Sequence, residues 1–332
     1  MIESLLAYGW WISIVLIIVG FIALVKGADW LVDGASSIAK HFGISDLVIG
    51  LTVVAFGTSM PEFVVNMVSV MEGSTDLAIT NILGSNIINT FVILGLTALV
   101  YPVVSQKRSR DFDIPLSIIA GILVFAAVAI NSPFGEESRG ISRMGGIILL
   151  LFFCYFLYNT FRHAKDHPNE MQGDEVPNMK QLSTGKAVLF IISGLAGLVI
   201  GGELIVKSAV DLATRMGVSE AIIGLTIVAL GTSLPELATS VIAATKHNSD
   251  IALGNVVGSN IFNVFFVLGM SAVIRPLPAY EGIELDTWMA AVGSILVWLF
   301  VKTNREREIK RWGGGILLLV YALYLGYRLV SL

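Results

Sequence analysis

Apolar residues along this 332-residue chain neither alternate nor keep to one narrow helical stripe; they come in long runs broken by short polar stretches. A run of roughly 17 to 25 apolar residues is long enough to cross a ~30 Å hydrocarbon layer as a helix. Ten such runs predict spans over residues 10–33, 45–71, 77–101, 112–130, 142–161, 187–210, 219–245, 251–274, 286–301 and 313–330. Backbone in hydrocarbon must satisfy its own hydrogen bonds, so each run is expected to be helical and the chain an all-α membrane protein. The opening MIESLLAYGWWISIVLIIVG lacks the basic start and small-residue cleavage site of a secretory signal, so it is kept as the first span.

Composition agrees with this pattern. The chain is 55% hydrophobic and 14% charged, with a mean hydropathy of +0.81, too apolar for a soluble domain of this size. The single cysteine, Cys154, falls in the fifth run and excludes a disulfide framework. The net charge of −4 matters less than where the cations sit. With the N-terminus outside, 14 of the 21 Lys and Arg residues fall in inward loops and five in outward ones. The positive-inside rule therefore predicts both termini outside, in a multi-pass protein of the cell membrane.

The chain also contains a repeat. Shifted by 174 residues, GISDLVIGLTVVAFGTSMPE from Gly43 lies on GVSEAIIGLTIVALGTSLPE from Gly217. DLAITNILGSNIINTFVILG from Asp76 likewise lies on DIALGNVVGSNIFNVFFVLG from Asp250, and residues 43–95 contain 24 identities in 53 aligned positions. Five predicted spans separate the copies, and an odd number of crossings inverts the second. The expected organisation is a first half over 1–162, a linker over 163–185 and a second half over 186–332. Inverted repeats with interrupted helices are the usual build of secondary transporters, whose ion sites lie at the midplane.

The repeated residues are polar, which packing alone does not require. Pro61 has no N–H for the carbonyl of Gly57, and Pro235 none for Gly231, so both spans are expected to break there. The break is expected to free carbonyls around Ala55–Gly57 and Ala229–Gly231 to face a cavity. Thr58, Ser59 and Glu62, at i, i+4 and i+3 spacing, can share one face of the break, as can Thr232, Ser233 and Glu236. A carboxylate at mid-span costs on the order of 2.5–3.5 kcal/mol and marks function by default. Asn81, Ser85 and Asn89, and again Asn255, Ser259 and Asn263, form a polar stripe at i, i+4, i+8 on an apolar helix. Such stripes serve either as packing seams or, opposite a Glu-bearing broken helix, as the rest of an oxygen cage.

All these groups are hard oxygen donors. The four histidines, His41, His163, His167 and His247, fall in loops or at span ends, which argues against zinc or copper. Two carboxylates amid neutral oxygens suit one Ca²⁺ or equally two monovalent cations, and that equivalence is a physical basis for exchange. A channel would need a continuous pore, which an inverted repeat does not favour. An intramembrane hydrolase would need a metal motif or a poised nucleophile and base, and the chain shows neither.

The paired motifs GTSMPE with GSNIIN and GTSLPE with GSNIFN resemble the repeats of the sodium/calcium exchanger family of cation/calcium antiporters, over essentially the whole chain. The resemblance implies ten transmembrane helices in two inverted five-helix repeats, and antiport of Ca²⁺ against Na⁺, with H⁺/Ca²⁺ or K⁺-coupled exchange as the alternative. It implies inorganic cations as substrates, a lipid bilayer as environment, a monomer, no nucleic-acid partner, no catalytic residues and no cofactor. It assigns cation binding to the backbone of Ala55 and the side chains of Thr58, Ser59, Glu62, Ser85 and Asn89, and in the second half to Ala229, Thr232, Ser233, Glu236, Ser259 and Asn263. At the last position the family usually carries aspartate; here Asn263 leaves the cage two carboxylates instead of three.

Three weaker features complete the reading. Asp29 and Asp33 near the inner end of the first span are expected to be structural, with Lys26 pairing with Asp29 or reaching to the interface. Asn66 and Ser240, four residues past the glutamates, either line the ion path or pack. The stretch Phe161–Lys186 has no calcium-loop spacing and is expected to hinge the halves.

Overall fold

The computed structural model describes residues 9–129, 139–166, 182–217, 229–280 and 282–331. The described residues form a helical bundle. In chain order the helices are α1 (Trp10–Phe42), α2 (Asp46–Thr58), α3 (Met60–Glu72), α4 (Thr75–Val100), α5 (Ser109–Ala129), α6 (Arg143–Asp166), α7 (Thr184–Arg215), α8 (Leu234–Thr245), α9 (Ser249–Ile274), α10 (Ile283–Thr303) and α11 (Arg311–Ser331). A single helical turn, Ala229–Gly231, precedes α8.

Among the described residues, seven helices are long and apolar enough to cross a membrane, and the bent pair α2–α3 makes eight. Ten were expected. The expected run 219–245 appears as the 12-residue α8, because residues 218–228 lie outside the described residues. The tenth run forms the 21-residue α11, outside that count. Helix ends also differ from expectation. α1 continues from 33 to Phe42 because nothing in its sequence stops a helix before Gly43, whose φ of +62° caps it in the left-handed region. α7 likewise extends to Arg215, and α6 carries His163 inside its last turn. Of the expected linker, 167–181 lies outside the described residues.

Burial separates centre from periphery. In α4 and α9, 78% of the most apolar window is buried, against 28% in α1 and 22% in α6 and α7. The two central helices are therefore enclosed by protein, and the others present apolar faces to lipid. Phe91 and its counterpart Phe265, fully buried, anchor the core on these helices.

α1 and α7 lie against each other backbone to backbone. Gly20, Gly27 and Gly34, seven residues apart, meet Gly201, Gly194 and Ala187, so the two helices run antiparallel. A Cβ on Gly27 would stand 2.8 Å from the Gly194 carbonyl oxygen, so only glycine permits this approach.

Two short strand pairs close the loops. β1 (Val103–Val104) pairs antiparallel with β4 (Glu308–Ile309), and β2 (Gly140–Ile141) with β3 (Leu277–Pro278). Hydrogen-bonded strands between spans must share one side of the bilayer, so each pair fixes two distant loops to the same face.

Candidate cation site

The predicted break is present. α2 and α3 meet at a 47° bend, with Ser59 between them at φ −86°, ψ 6° and Pro61 in the first turn of α3. Ser233, before Pro235 and α8, adopts nearly the same backbone, φ −89° and ψ 5°. Proline is tolerated there because a first-turn residue has no intrahelical acceptor for its N–H. The break falls late enough that the Ser59 N–H still reaches the Ala55 carbonyl at 3.1 Å, and Thr58 Oγ1 donates to the same oxygen at 3.3 Å. The Ala55 carbonyl is therefore not wholly free as expected: it accepts the Ser59 N–H, while the single Thr58 proton is shared between this oxygen and Asn255 Oδ1, the nearer at 3.0 Å. Ala229 lies in the turn before the second break.

The break brings the two motifs into contact. Ser59 Oγ donates to Glu236 Oε1 at 2.7 Å, and Ser233 Oγ donates to Glu62 Oε1 at 3.4 Å. Ser259 Oγ approaches Glu236 Oε1 at 3.5 Å. Ser59 and Ser233 thus each serve the carboxylate of the other copy, while Ser259 approaches that of its own. Glu62 and Glu236 are fully buried, and among the described residues neither forms an ion pair with a Lys or Arg.

The sequence-predicted residues that supply side chains converge here. Contacts join Ser59, Glu62, Ser233, Glu236 and Ser259; Thr58, Ser85, Asn89 and Asn263 are likewise buried, and Thr232 is half-buried. Six oxygens among them are buried without a hydrogen-bonding partner: Glu62 Oε2, Glu236 Oε2, Ser85 Oγ, Thr232 Oγ1, Asn89 Oδ1 and Asn263 Oδ1. Buried polar atoms are ordinarily satisfied, so six concentrated on one motif set point to a positive ligand. Six hard oxygens, two from carboxylates, fit the coordination of a hard cation such as Ca²⁺ or Na⁺.

Other predicted residues turn out to hold the helices together. Asn255 Nδ2 donates to the Glu236 carbonyl at 3.2 Å and to Ser240 Oγ at 2.9 Å, and Asn255 Oδ1 accepts from Thr58 at 3.0 Å. Asn66 Nδ2 donates to Ser271 Oγ at 2.9 Å. Asn81 Nδ2 donates to Asn66 Oδ1 at 3.4 Å. Asp29 is not paired with Lys26, one of the two roles expected of that lysine: Lys246, after α8, reaches the carboxylates of Asp29 and Asp33 at 2.6 Å. A lysine directly after α8 carries no sequence signal for a partner 213 positions away.

Sequence reading also missed the π-helical turns. Ile88–Ile93 in α4 contains Asn89, and Phe262–Leu268 in α9 contains Asn263. A π turn widens the helix by one residue per turn, so both amides are offset from the i, i+4, i+8 stripe that the pattern predicts.

A helical membrane protein with paired buried carboxylates on interrupted helices, ringed by neutral oxygens, is a cation carrier in its class. Comparison with known proteins agrees: the model of the sodium/calcium exchanger protein family matches residues 12–162 and 186–330. The chain belongs to the sodium/calcium exchanger family. It is 37% identical over 319 residues to the putative antiporter CaxA of Alkalimonas amylolytica, covering 94% of this chain and 97% of that protein. It is 31% identical over 344 residues to the sodium/calcium exchanger MaX1 of Methanosarcina acetivorans, covering 95% and 97%. The solved structure of the sodium-calcium exchanger NCX_Mj soaked with 10 mM Na⁺ and zero Ca²⁺ matches with a TM-score of 0.81 at 31% identity, over 96% of this chain and 99% of that one.

Proposed function

We propose that the protein is a secondary active antiporter that exchanges Ca²⁺ for Na⁺ by alternating access. The observation that carries this reading is the crossed pair Ser59–Glu236 and Ser233–Glu62 beside six unpartnered buried oxygens. In this reading Glu62 and Glu236 supply the charge. Thr58, Ser59, Ser85, Asn89, Thr232, Ser233, Ser259 and Asn263 supply neutral oxygens. The Ala55 carbonyl and its counterpart, the Ala229 carbonyl, complete the set.

A bound cation neutralises the carboxylates, which allows the site to close on either side. One Ca²⁺ or more than one Na⁺ meets that condition, so the two compete for the same oxygens. α1 and α7, joined at their glycine seam, rock together over the rest of the bundle. The full architecture in this reading is ten helices in two inverted halves, 1–162 and 186–332, joined by 163–185. The protein is then monomeric in the cell membrane, with both termini outside. Support comes from the matched backbone at Ser59 and Ser233 and from the strands Val103–Val104 and Leu277–Pro278, which the same 174-residue shift relates.

A second reading, coupling to H⁺ or K⁺, is favoured by one observation. Asn263 stands where the family usually has aspartate, so the cage has one less charge to balance. Ca²⁺ uptake into proteoliposomes, driven separately by imposed Na⁺, K⁺ and H⁺ gradients, decides between them. Uptake that requires the Na⁺ gradient is the expected result; uptake driven only by H⁺ or K⁺ selects the second reading. A Ca²⁺ leak without any opposing gradient overturns both.

A further inference from the structure

The two site amides, Asn89 and Asn263, are equivalent in the repeat but not in their wiring. Asn263 Nδ2 donates to Asn86 Oδ1 at 3.1 Å, and Asn86 gives its own Nδ2 to the backbone carbonyl of Asn260 at 3.2 Å. With its nitrogen held on that carbonyl, Asn86 turns its oxygen toward Asn263, which meets it through N–H. The Asn263 oxygen is left on the opposite edge of the amide, buried and without a protein donor. In the mirror position Asn260 gives Nδ2 to Thr90 Oγ1 at 2.7 Å, while Asn260 Oδ1 and both amide atoms of Asn89 have no hydrogen-bonding partner. The sequence explains the difference. The 174-residue shift places Val264 opposite Thr90, so Asn86 has no hydroxyl to take its nitrogen and turns to the Asn260 carbonyl instead.

We propose that Asn86 is a positioning residue for cation binding: it holds the Asn263 amide with its oxygen edge toward the ion and its N–H edge away. The proposal rests on the cation-exchange reading above. A carboxylate at position 263 would present oxygen in either orientation and would need no such partner. An amide presents oxygen on one edge and N–H on the other, and N–H turned toward a cation repels it. The substitution of amide for carboxylate is therefore matched by a neighbour that removes the wrong orientation. Asn89 carries no equivalent lock and can turn, so the two amides are not interchangeable ligands.

The test is Ca²⁺ and Na⁺ binding by titration calorimetry on the purified full chain, with monodispersity checked for every variant. Asn86→Ala is expected to raise the Ca²⁺ dissociation constant about tenfold, the size expected when a hydrogen bond that orients a charged-group ligand is lost. In an Asn263→Asp background the same Asn86→Ala change is expected to shift it less than about twofold, since a carboxylate needs no orienting. Asn86→Asp keeps an acceptor facing Asn263 and is expected to bind at least as tightly as the unsubstituted protein. An equal loss in both backgrounds, or a loss with Asn86→Asp as large as with Asn86→Ala, means that Asn86 acts only as structure and overturns the proposal. If the unsubstituted protein binds neither cation, the exchange reading falls and takes this proposal with it; if it binds and Asn86→Ala leaves affinity unchanged, only this proposal falls.

Discussion

Ser59 and Glu236 lie 177 positions apart in the chain, yet the serine hydroxyl donates to the carboxylate at 2.7 Å, and both are fully buried. Loss of a hydrogen bond to a charged group costs about 1.5–3 kcal/mol, so Ser59→Ala is expected to raise the half-saturating Ca²⁺ concentration at least tenfold. The effect should vanish in a Glu236→Gln background when binding is measured as a double-mutant cycle. Additive losses would mean that the hydroxyl acts elsewhere.

Glu62→Gln and Glu236→Gln each remove one of the two buried charges. Either change is expected to abolish Ca²⁺ uptake into proteoliposomes while the protein remains folded, because the neutral amide fits the same space. Near-normal flux in both variants would refute the cage.

The glycine seam makes a steric prediction. A side chain at Gly27 would meet the Gly194 oxygen and the Leu198 nitrogen at 2.8 Å, both backbone atoms that cannot move aside locally. Gly27→Val is expected to lower stability by about 1–3 kcal/mol, as overpacked interfaces do, and to stop transport. Gly315→Ala, with nothing within 4 Å, is the control and should melt at the temperature of the unsubstituted protein.

Lys246 joins α1 to the end of α8 through Asp29 and Asp33, all partly exposed. Exposed pairs contribute about 0–1 kcal/mol, so Lys246→Asp should shift the thermal melting point only slightly at physiological salt. Reversing the pair, with Lys246→Asp and Asp33→Lys together, should recover whatever transport the single change loses. No recovery would show that the bridge does not link the two helices during the cycle.

Arg108 approaches Asp113 at 3.5 Å, and the aspartate is completely buried. Removing one partner of a buried ion pair typically costs about 3–5 kcal/mol because the other charge is stranded. Arg108→Met is expected to destabilise the protein strongly in a detergent melt, and Arg108→Met with Asp113→Asn to restore much of the loss. A mild single-mutant effect would mean that Asp113 is stabilised by other groups.

Much of the molecule was readable from sequence. The long apolar runs gave the helices, Pro61 gave the bend, and two copies of one polar pattern gave the residues that meet in the site. What escaped was whatever depends on packing across the repeat. The seven-residue spacing of Gly20, Gly27 and Gly34 is visible in the chain, but its partners on α7 are not. The π turns at Asn89 and Asn263 leave no local signature, because any residue can enter one when tertiary contacts favour it. The Lys246 bridge and the Ser59 N–H on the Ala55 carbonyl are likewise long-range or geometric outcomes. The expected count of ten spans rested on hydropathy alone, and residues 218–228 lie outside what the structure describes.

The crossed serine–carboxylate bonds have an evolutionary consequence. Each copy lends its hydroxyl to the other's acid, so a protein consisting of one copy would lack the crossed serine on its carboxylate until a second copy docked against it. After fusion of the two copies, a change in one motif is felt first by the acid of its twin. GTSMPE and GTSLPE then stay alike because each is part of the other's selective environment, and shared ancestry alone would not have kept them so.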